Sequence, residues 1–153
     1  MDDLGYCKGP FISPSIYEEI IYPWHCEAIR VAHKYGAFVN MHSHGNINAI
    51  MPLLAHSGLD ALNPIGPSDN MNLKELKEKY GHRITMCGGI SKFIGGMTSE
   101  QLVQHIREVI SIGAPGGGFI LQDEGWVPQE MTEENVSLFM KCSRKYRRNR
   151  MSA

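Results

Sequence analysis

Two histidines separated by one residue are the strongest chemical feature of this sequence. His42 and His44 follow an apolar run that predicts a buried strand, and Gly45 comes directly after them. Side chains at positions i and i+2 of a strand project to the same face, so both imidazoles can reach one metal ion or one substrate. In α/β folds, ligands collect at the carboxyl ends of parallel strands. The alternative is a structural pair whose rings are held by backbone carbonyls.

Length, charge and cysteine content limit the class of protein. The 153 residues suffice for one domain with a sizeable core, and the net charge of −1 gives no general attraction to nucleic acid. No apolar stretch approaches the roughly 20 residues that span a bilayer. The acidic start at Asp2 and Asp3 is unlike a signal peptide. The four scattered cysteines form no CxxC pair and indicate reduced thiols, so we expect a cytoplasmic protein without a membrane partner.

Basic side chains collect near the carboxyl end of the chain. Cations in the last turn of a helix stabilise its dipole and stay solvated. We therefore interpret 141–153 as a basic helix end and tail, and not as a nucleic-acid site. These residues are Lys141, Arg144, Lys145, Arg147, Arg148 and Arg150.

Apolar periodicity predicts helices that alternate with short strands. The first helix begins with Ser13 as N-cap and Pro14 in its first turn, is kinked or broken at Pro23, and ends at Gly36. The predicted strands cover 37–42, 61–65, 83–87 and 119–121. Further helices are predicted over 47–57 and 73–80, after a cap at Thr98 or Ser99, and over 133–148.

The order of these elements is βα repeated four times after a first helix. Short apolar strands between amphipathic helices predict a parallel sheet covered by helices. Loops rich in Gly, Pro, Asn and His at one end of the strands suit a TIM barrel, which needs eight strands and about 250 residues. A flavodoxin-like open sheet also fits the length. However, no phosphate-binding glycine loop follows a first strand.

Seven segments, in order along the chain, resemble the uroporphyrinogen decarboxylase superfamily. That superfamily has a (β/α)8 barrel, and its members include decarboxylases of haem synthesis and zinc-dependent methyltransferases that act with corrinoid proteins. The resemblance implies an α/β fold that is the C-terminal half of a TIM (β/α)8 barrel, with about four parallel βα units in a single domain over 1–153. The segments are DDLG (2–5), KGPFISP (8–14), YP (22–23), HSHGN (42–46), GLDALNP (58–64), GGI (88–90) and APGGGFIL (114–121).

The methyltransferase branch implies a metal site. Its members are similar to this chain in a His-x-Cys-Gly-Asn segment whose His and Cys bind zinc, and they carry a second Cys after the last strand. Here His42 matches the histidine, His44 stands in place of the first cysteine, and Gly125 in place of the second. Imidazole and carboxylate both bind Zn²⁺ at about 2.0–2.2 Å. The resemblance therefore implies a nitrogen and oxygen zinc site of His42, His44 and Glu124, with Asp123 beside it; the alternative is that these acids form a solvated loop.

The same resemblance suggests residues that contact the substrate and residues that hydrogen-bond to the metal-binding imidazoles. An acceptor such as Asn46 or Asn63 would select the tautomer of a ligating imidazole. Gly88 and Gly89 would let a ligand approach the backbone, although a tight turn explains them equally well. The predicted substrate-binding set consists of these four residues and Asp3. Met41, Met86 and Trp126 are candidates for the apolar walls of the pocket, although apolar residues at such positions are more often plain core.

A decarboxylase activity is the alternative that the family offers. In that enzyme the loop after the last strand carries a substrate-contacting histidine, here replaced by Gly125, and a substrate-contacting serine is replaced by Asp3. A carboxylate at Asp3 would repel the acidic side chains of a uroporphyrinogen. The arginines and the aspartate of that reaction belong to the N-terminal half of the barrel.

Two functions from different classes remain. One is a metal-dependent methyltransferase that acts with a corrinoid protein or on a small-molecule substrate. The other is a non-catalytic half-barrel that pairs with a missing N-terminal half or with itself, because unpaired parallel edges favour association.

Overall fold

A computed structural model describes residues 3–125, 128 and 130–148. A short antiparallel hairpin precedes alternating helices and strands. The strands are β1 (Gly5–Tyr6), β2 (Gly9–Pro10), β3 (Asn40–His42), β4 (Ala61–Ile65), β5 (Thr85–Ile90) and β6 (Phe119–Asp123). The helices are α1 (Pro14–Ile16), α2 (Tyr22–Lys34), α3 (Met51–His56), α4 (Leu73–Tyr80), α5 (Ser99–Gly113) and α6 (Glu133–Arg148).

The four strands that follow the hairpin form one parallel sheet in the order β3-β4-β5-β6. Each pair is parallel, as the sequence predicts. The bounds of three strands differ from the prediction, and β6 extends two residues further, to Asp123. β3 begins at Asn40 because Ala37 and Phe38 are exposed and pair with no strand, and β5 continues through Gly88 and Gly89 to Ile90. The sheet with its helices agrees with half of a TIM barrel.

The first helix carries the irregularity predicted at Pro23. Ser13 caps α1 by accepting the N–H of Ile16 at 3.3 Å. A π-helical turn, Tyr17–Ile21, then joins α1 to α2, and the N–H of Tyr22 bonds to the carbonyl of Tyr17. Pro23 has no N–H to donate and its ring displaces the carbonyl of the preceding turn, which explains the wider turn just before it.

Side chains alternate between the two faces of the sheet. The register places Met41, Leu62, Met86 and Phe119 side by side in one row. A Cβ added to Gly113 of α5 would meet the ring of Phe119 at 2.5 Å, so this row faces the helices and forms the core. The next residue along β3 and β4 must therefore face away from the helices. Met41 and Met86 belong to this core and do not wall the pocket, and Trp126 lies outside the described residues.

Histidine cavity at the carboxyl ends of the strands

His42 and His44 lie together where β3 ends. Their ring centroids are 5.0 Å apart and the ring planes meet at 79°. Both line a cavity of about 290 Å³, which we call the histidine cavity. This arrangement agrees with two imidazoles that face one ligand. The other residues of the cavity are Pro64, Gln122, Glu124 and Gly125.

The ring of His42 is held by the neighbouring strand. Its Nδ1 atom lies 2.7 Å from Oδ1 of Asn63, and the Asn63 amide donates to Oε1 of Gln122 at 3.4 Å. Asn63 therefore makes the outer contact that the sequence predicts for it. Because its oxygen accepts, Nδ1 of His42 carries the hydrogen and Nε2 is left with a lone pair.

The ring of His44 contacts a carboxylate that the sequence analysis did not single out. Nδ1 of His44 lies 3.2 Å from Oδ2 of Asp69. Asp69 ends a 3₁₀ turn, Pro67–Asp69, in the loop after β4. An acidic residue just after Gly66-Pro67, at the carboxyl end of a strand next to β3, is the signal that would have identified it.

Asp3 contacts the same loop from the start of the chain. Its Oδ1 atom accepts the backbone N–H of His44 at 2.8 Å and lies 4.0 Å from Nε2 of His42. The predicted substrate contact at Asp3 therefore lies next to the histidine pair.

Glu124 is a buried carboxylate on the opposite side of the cavity. It is only 3% exposed, and its oxygens accept from the backbone N–H of Ser68 at 2.9 Å and from the Ser68 hydroxyl. The alternative that the acids after β6 form a solvated loop is therefore wrong for Glu124. Its carboxylate has hydrogen-bond partners that reduce the cost of burying a charge.

Gly66 allows the two acids to approach each other. A Cβ at Gly66 would lie 3.1 Å from Cδ of Glu124 and 3.2 Å from Oδ2 of Asp69. The single turn after β4 thus connects the loops that follow β3 and β6.

Three predicted residues lie away from the histidine pair. Asn46 uses its side-chain oxygen to accept from the backbone and side chain of Asn48. A Cβ at Gly88 would lie 2.4 Å from the backbone nitrogen of Ile65, and one at Gly89 would lie 2.6 Å from Val109. Both glycines belong to β5 and pack closely against the rest of the fold, and Gly89 also lines a groove between α4 and α5.

The donors suit a metal ion only in part. The two imidazoles, each with Nδ1 on an acceptor, resemble ligating histidines, whose second nitrogen is usually held by a carboxylate or carbonyl. Within 3–125, 128 and 130–148, no three His, Cys, Asp or Glu side chains are grouped closely enough to hold a metal. A Cβ at Gly125 would meet nothing within 4 Å, so the position of the absent second cysteine has free space.

A larger groove of about 760 Å³ runs between α4 and α5. Besides Lys74, Glu75 and Glu108, its lining includes Asn70 of the loop after β4 and Gly89 of β5, but not His42 or His44. The histidine cavity also lies at the carboxyl ends of the strands, and it is lined by two imidazoles and Glu124. It is therefore the better candidate site, although it is smaller.

None of the helices in the part of the chain that the structure describes is long and apolar enough to cross a membrane.

Comparison with known proteins identifies the fold and the family. The structure is similar to a methyltransferase from Methanosarcina mazei, with a TM-score of 0.69 and 19% identity, over 89% of this chain and 38% of that one. A uroporphyrinogen decarboxylase from Actinobacillus succinogenes is 25% identical over 93 residues, which are 61% of this chain but only 25% of the relative. The family model for uroporphyrinogen decarboxylase (URO-D) matches residues 4–146. The chain therefore belongs to the uroporphyrinogen decarboxylase family.

Proposed function

We propose that this chain carries the metal-binding part of a methyltransferase barrel that acts with a corrinoid protein. His42 and His44 are two of the metal ligands in this proposal. One observation carries it: at the carboxyl end of β3, both imidazoles hold an acceptor at Nδ1 and share a cavity with Glu124.

The charges around the cavity favour a cation. Glu124 lines the cavity, and Asp3 and Asp69 contact the histidine segment beside it, so three carboxylates lie at or next to the space. Imidazole nitrogen and carboxylate oxygen are both zinc ligands. The Actinobacillus relative is named for a reaction of uroporphyrinogen, whose carboxylates these acids would repel. The same acids therefore support a metal and disfavour the decarboxylase alternative.

Each residue has a distinct role in this proposal. His42 and His44 bind the ion through Nε2, and Asn63 orients the first ring. Glu124 is the third protein ligand, which requires its carboxylate to leave Ser68. Asp3 and Asn63 contact the substrate beside the ion. When bound, zinc makes a coordinated thiol or alcohol lose its proton more readily.

The corrinoid partner and the zinc cofactor are inferred from the resemblance to the methyltransferase members of the family. The corrinoid protein approaches from the carboxyl ends of β3 and β6, because residues at those ends line the cavity. A barrel half must also meet its complement, either an N-terminal half or a second copy, before the cavity is closed.

Cobalt(II) as a coloured substitute for zinc tests the proposal. The wild-type chain should bind Co²⁺ and develop visible absorption bands of four-coordinate Co²⁺. Addition of a small thiol should add a sulfur-to-metal charge-transfer band in the near ultraviolet. His42→Ala should lose both signals, whereas the matched variant His56→Ala, in which an exposed histidine on α3 is removed, should retain them.

A second titration separates the alternatives. Uroporphyrin, a fluorescent oxidised form of the decarboxylase substrate, should not bind. Binding of uroporphyrin without Co²⁺ would overturn the methyltransferase proposal and favour the decarboxylase. Binding of neither probe would indicate a non-catalytic half-barrel.

A further inference from the structure

We propose that Asp69 is a positioning residue for His44. Its carboxylate holds the imidazole in the tautomer with hydrogen on Nδ1, so that the Nε2 lone pair is available in the histidine cavity. This role rests on the proposed function, because Nε2 is the atom that would bind the metal. The tautomer itself is a property of the chain without metal and is measured separately.

The hydrogen-bond partners determine the tautomer. Nδ1 of His44 lies 3.2 Å from Oδ2 of Asp69. An ionised carboxylate can only accept, so the hydrogen of this bond must be on Nδ1. A neutral imidazole carries one N–H, which leaves Nε2 as the acceptor or metal donor.

Asp69 is itself held in place. Its backbone N–H donates to the carbonyl of Gly66 at 3.1 Å, and its side chain is only 16% exposed. In the same turn, Ser68 donates to Glu124 beyond β6. The carboxylate thus reaches His44 from a turn that is attached to two strands, which limits the rotation of the ring.

The chain contains a second pair with the opposite geometry. Oδ2 of Asp60 lies 2.7 Å from Nε2 of His33, so the hydrogen of that bond is on Nε2. This pair lies at the far end of β4, because Asp60 precedes that strand and Asp69 follows it. His33 is therefore an internal reference for the assignment of His44.

Long-range ¹H–¹⁵N correlation spectra of the ¹⁵N-labelled full chain, without metal at pH 8, test the proposal. In the wild type, His44 should show a protonated Nδ1 and an unprotonated Nε2, and His33 the reverse. Asp69→Ala should shift His44 towards the Nε2–H form that free imidazoles favour. The matched variant Asp60→Ala should leave His44 as it is and should leave His33 in the Nε2–H form, because free imidazoles also favour that form.

The wild-type spectrum alone can overturn the proposal, whatever the variants do. A His44 ring with hydrogen on Nε2 would contradict it, as would an unchanged His44 in a folded Asp69→Ala chain. A Zn²⁺ titration gives the second measurement, with affinity expected to fall about 10- to 100-fold in Asp69→Ala. The predicted tautomer in a wild-type chain that binds no zinc would support the positioning role and overturn the proposed function.

Discussion

At the scale of single residues, the site depends on short polar contacts between loops. Asp69 holds His44, Asn63 holds His42, and Ser68 holds Glu124. All three contacts come from β4 or the turn that follows it. Gly66 begins that turn and has an ordinary backbone, with φ −97°. It is glycine because the two acids leave no room for a side chain.

Gly66→Ala should therefore destabilise the chain through crowding and not through backbone strain. The added methyl group would meet Glu124 and Asp69 at 3.1 and 3.2 Å, and forced shifts in a packed region cost about 1–3 kcal/mol. Urea denaturation of the variant measures this loss. Gly96→Ala is the control, since a Cβ there meets nothing within 4 Å, and it should change stability by less than about 0.5 kcal/mol. Equal stability of the Gly66 variant and the wild type would contradict this interpretation.

The residue scale also shows what the sequence can reveal. The pairing of His42 and His44 was predictable from the two-residue period of a strand. The same period places Met41 on the opposite face, in the core, so the core alternative for this residue is the correct one. Asp69 could not be predicted with similar force, because its reach to His44 depends on a turn that hydrophobic periodicity does not describe.

At the scale of elements, a half-buried histidine of α5 contacts the end of β5. His105 of α5 accepts the backbone N–H of Ser91, just after β5, at 3.1 Å. Burial lowers the pKa of His105 below its ordinary value of 6.5, although Glu108 and Glu124 act in the opposite direction. The folded chain therefore favours a neutral His105.

This burial gives a pH dependence of stability. As the pH falls below about 6.5, the unfolded chain binds a proton before the folded chain does, so stability is full above that pH and is lost below it. One such proton contributes a slope of at most about 1.4 kcal/mol per pH unit. His105→Gln keeps an acceptor for Ser91 and should reduce the slope measured by urea denaturation between pH 7.5 and pH 5.5.

His25 also has a pKa lowered by burial, so the slope should decrease without vanishing. His56→Gln, at an exposed position, is the matched control and should retain the wild-type slope. An unchanged slope in His105→Gln would show that His105 does not contribute.

At this scale, two glycines account for the wrong predicted end of β5. Gly88 and Gly89 were predicted to end the third strand of the sheet, because paired glycines are typical of turns. They instead continue β5, where close contact with Ile65 and Val109 excludes a side chain. The order and direction of all four strands were nevertheless predictable, since each apolar run is followed by an amphipathic helix.

At the scale of the whole molecule, the sheet has two open sides. Within the described residues, β3 pairs only with β4 and β6 only with β5. Large apolar side chains are exposed on the segment before β3 and on α2, with Phe38 89% and Trp24 74% accessible. Unpaired strand edges and apolar patches of this kind favour association.

The chain alone should therefore form a dimer or a larger oligomer, or dissolve poorly. Multi-angle light scattering at micromolar concentration measures the mass directly. A compact and stable monomer under these conditions would contradict the prediction and would indicate that the open edges are tolerated.

Zinc bound at the two histidines is the central claim, and elemental analysis tests it most directly. The wild-type chain, purified with zinc and freed of loose ions, should retain metal, and His42→Ala and His44→Ala should both lose it. Glu124→Ala should show a smaller loss, and His56→Ala should match the wild type. Equal metal content in the wild type, His42→Ala and His44→Ala would contradict the claim and leave the histidine pair with a structural role.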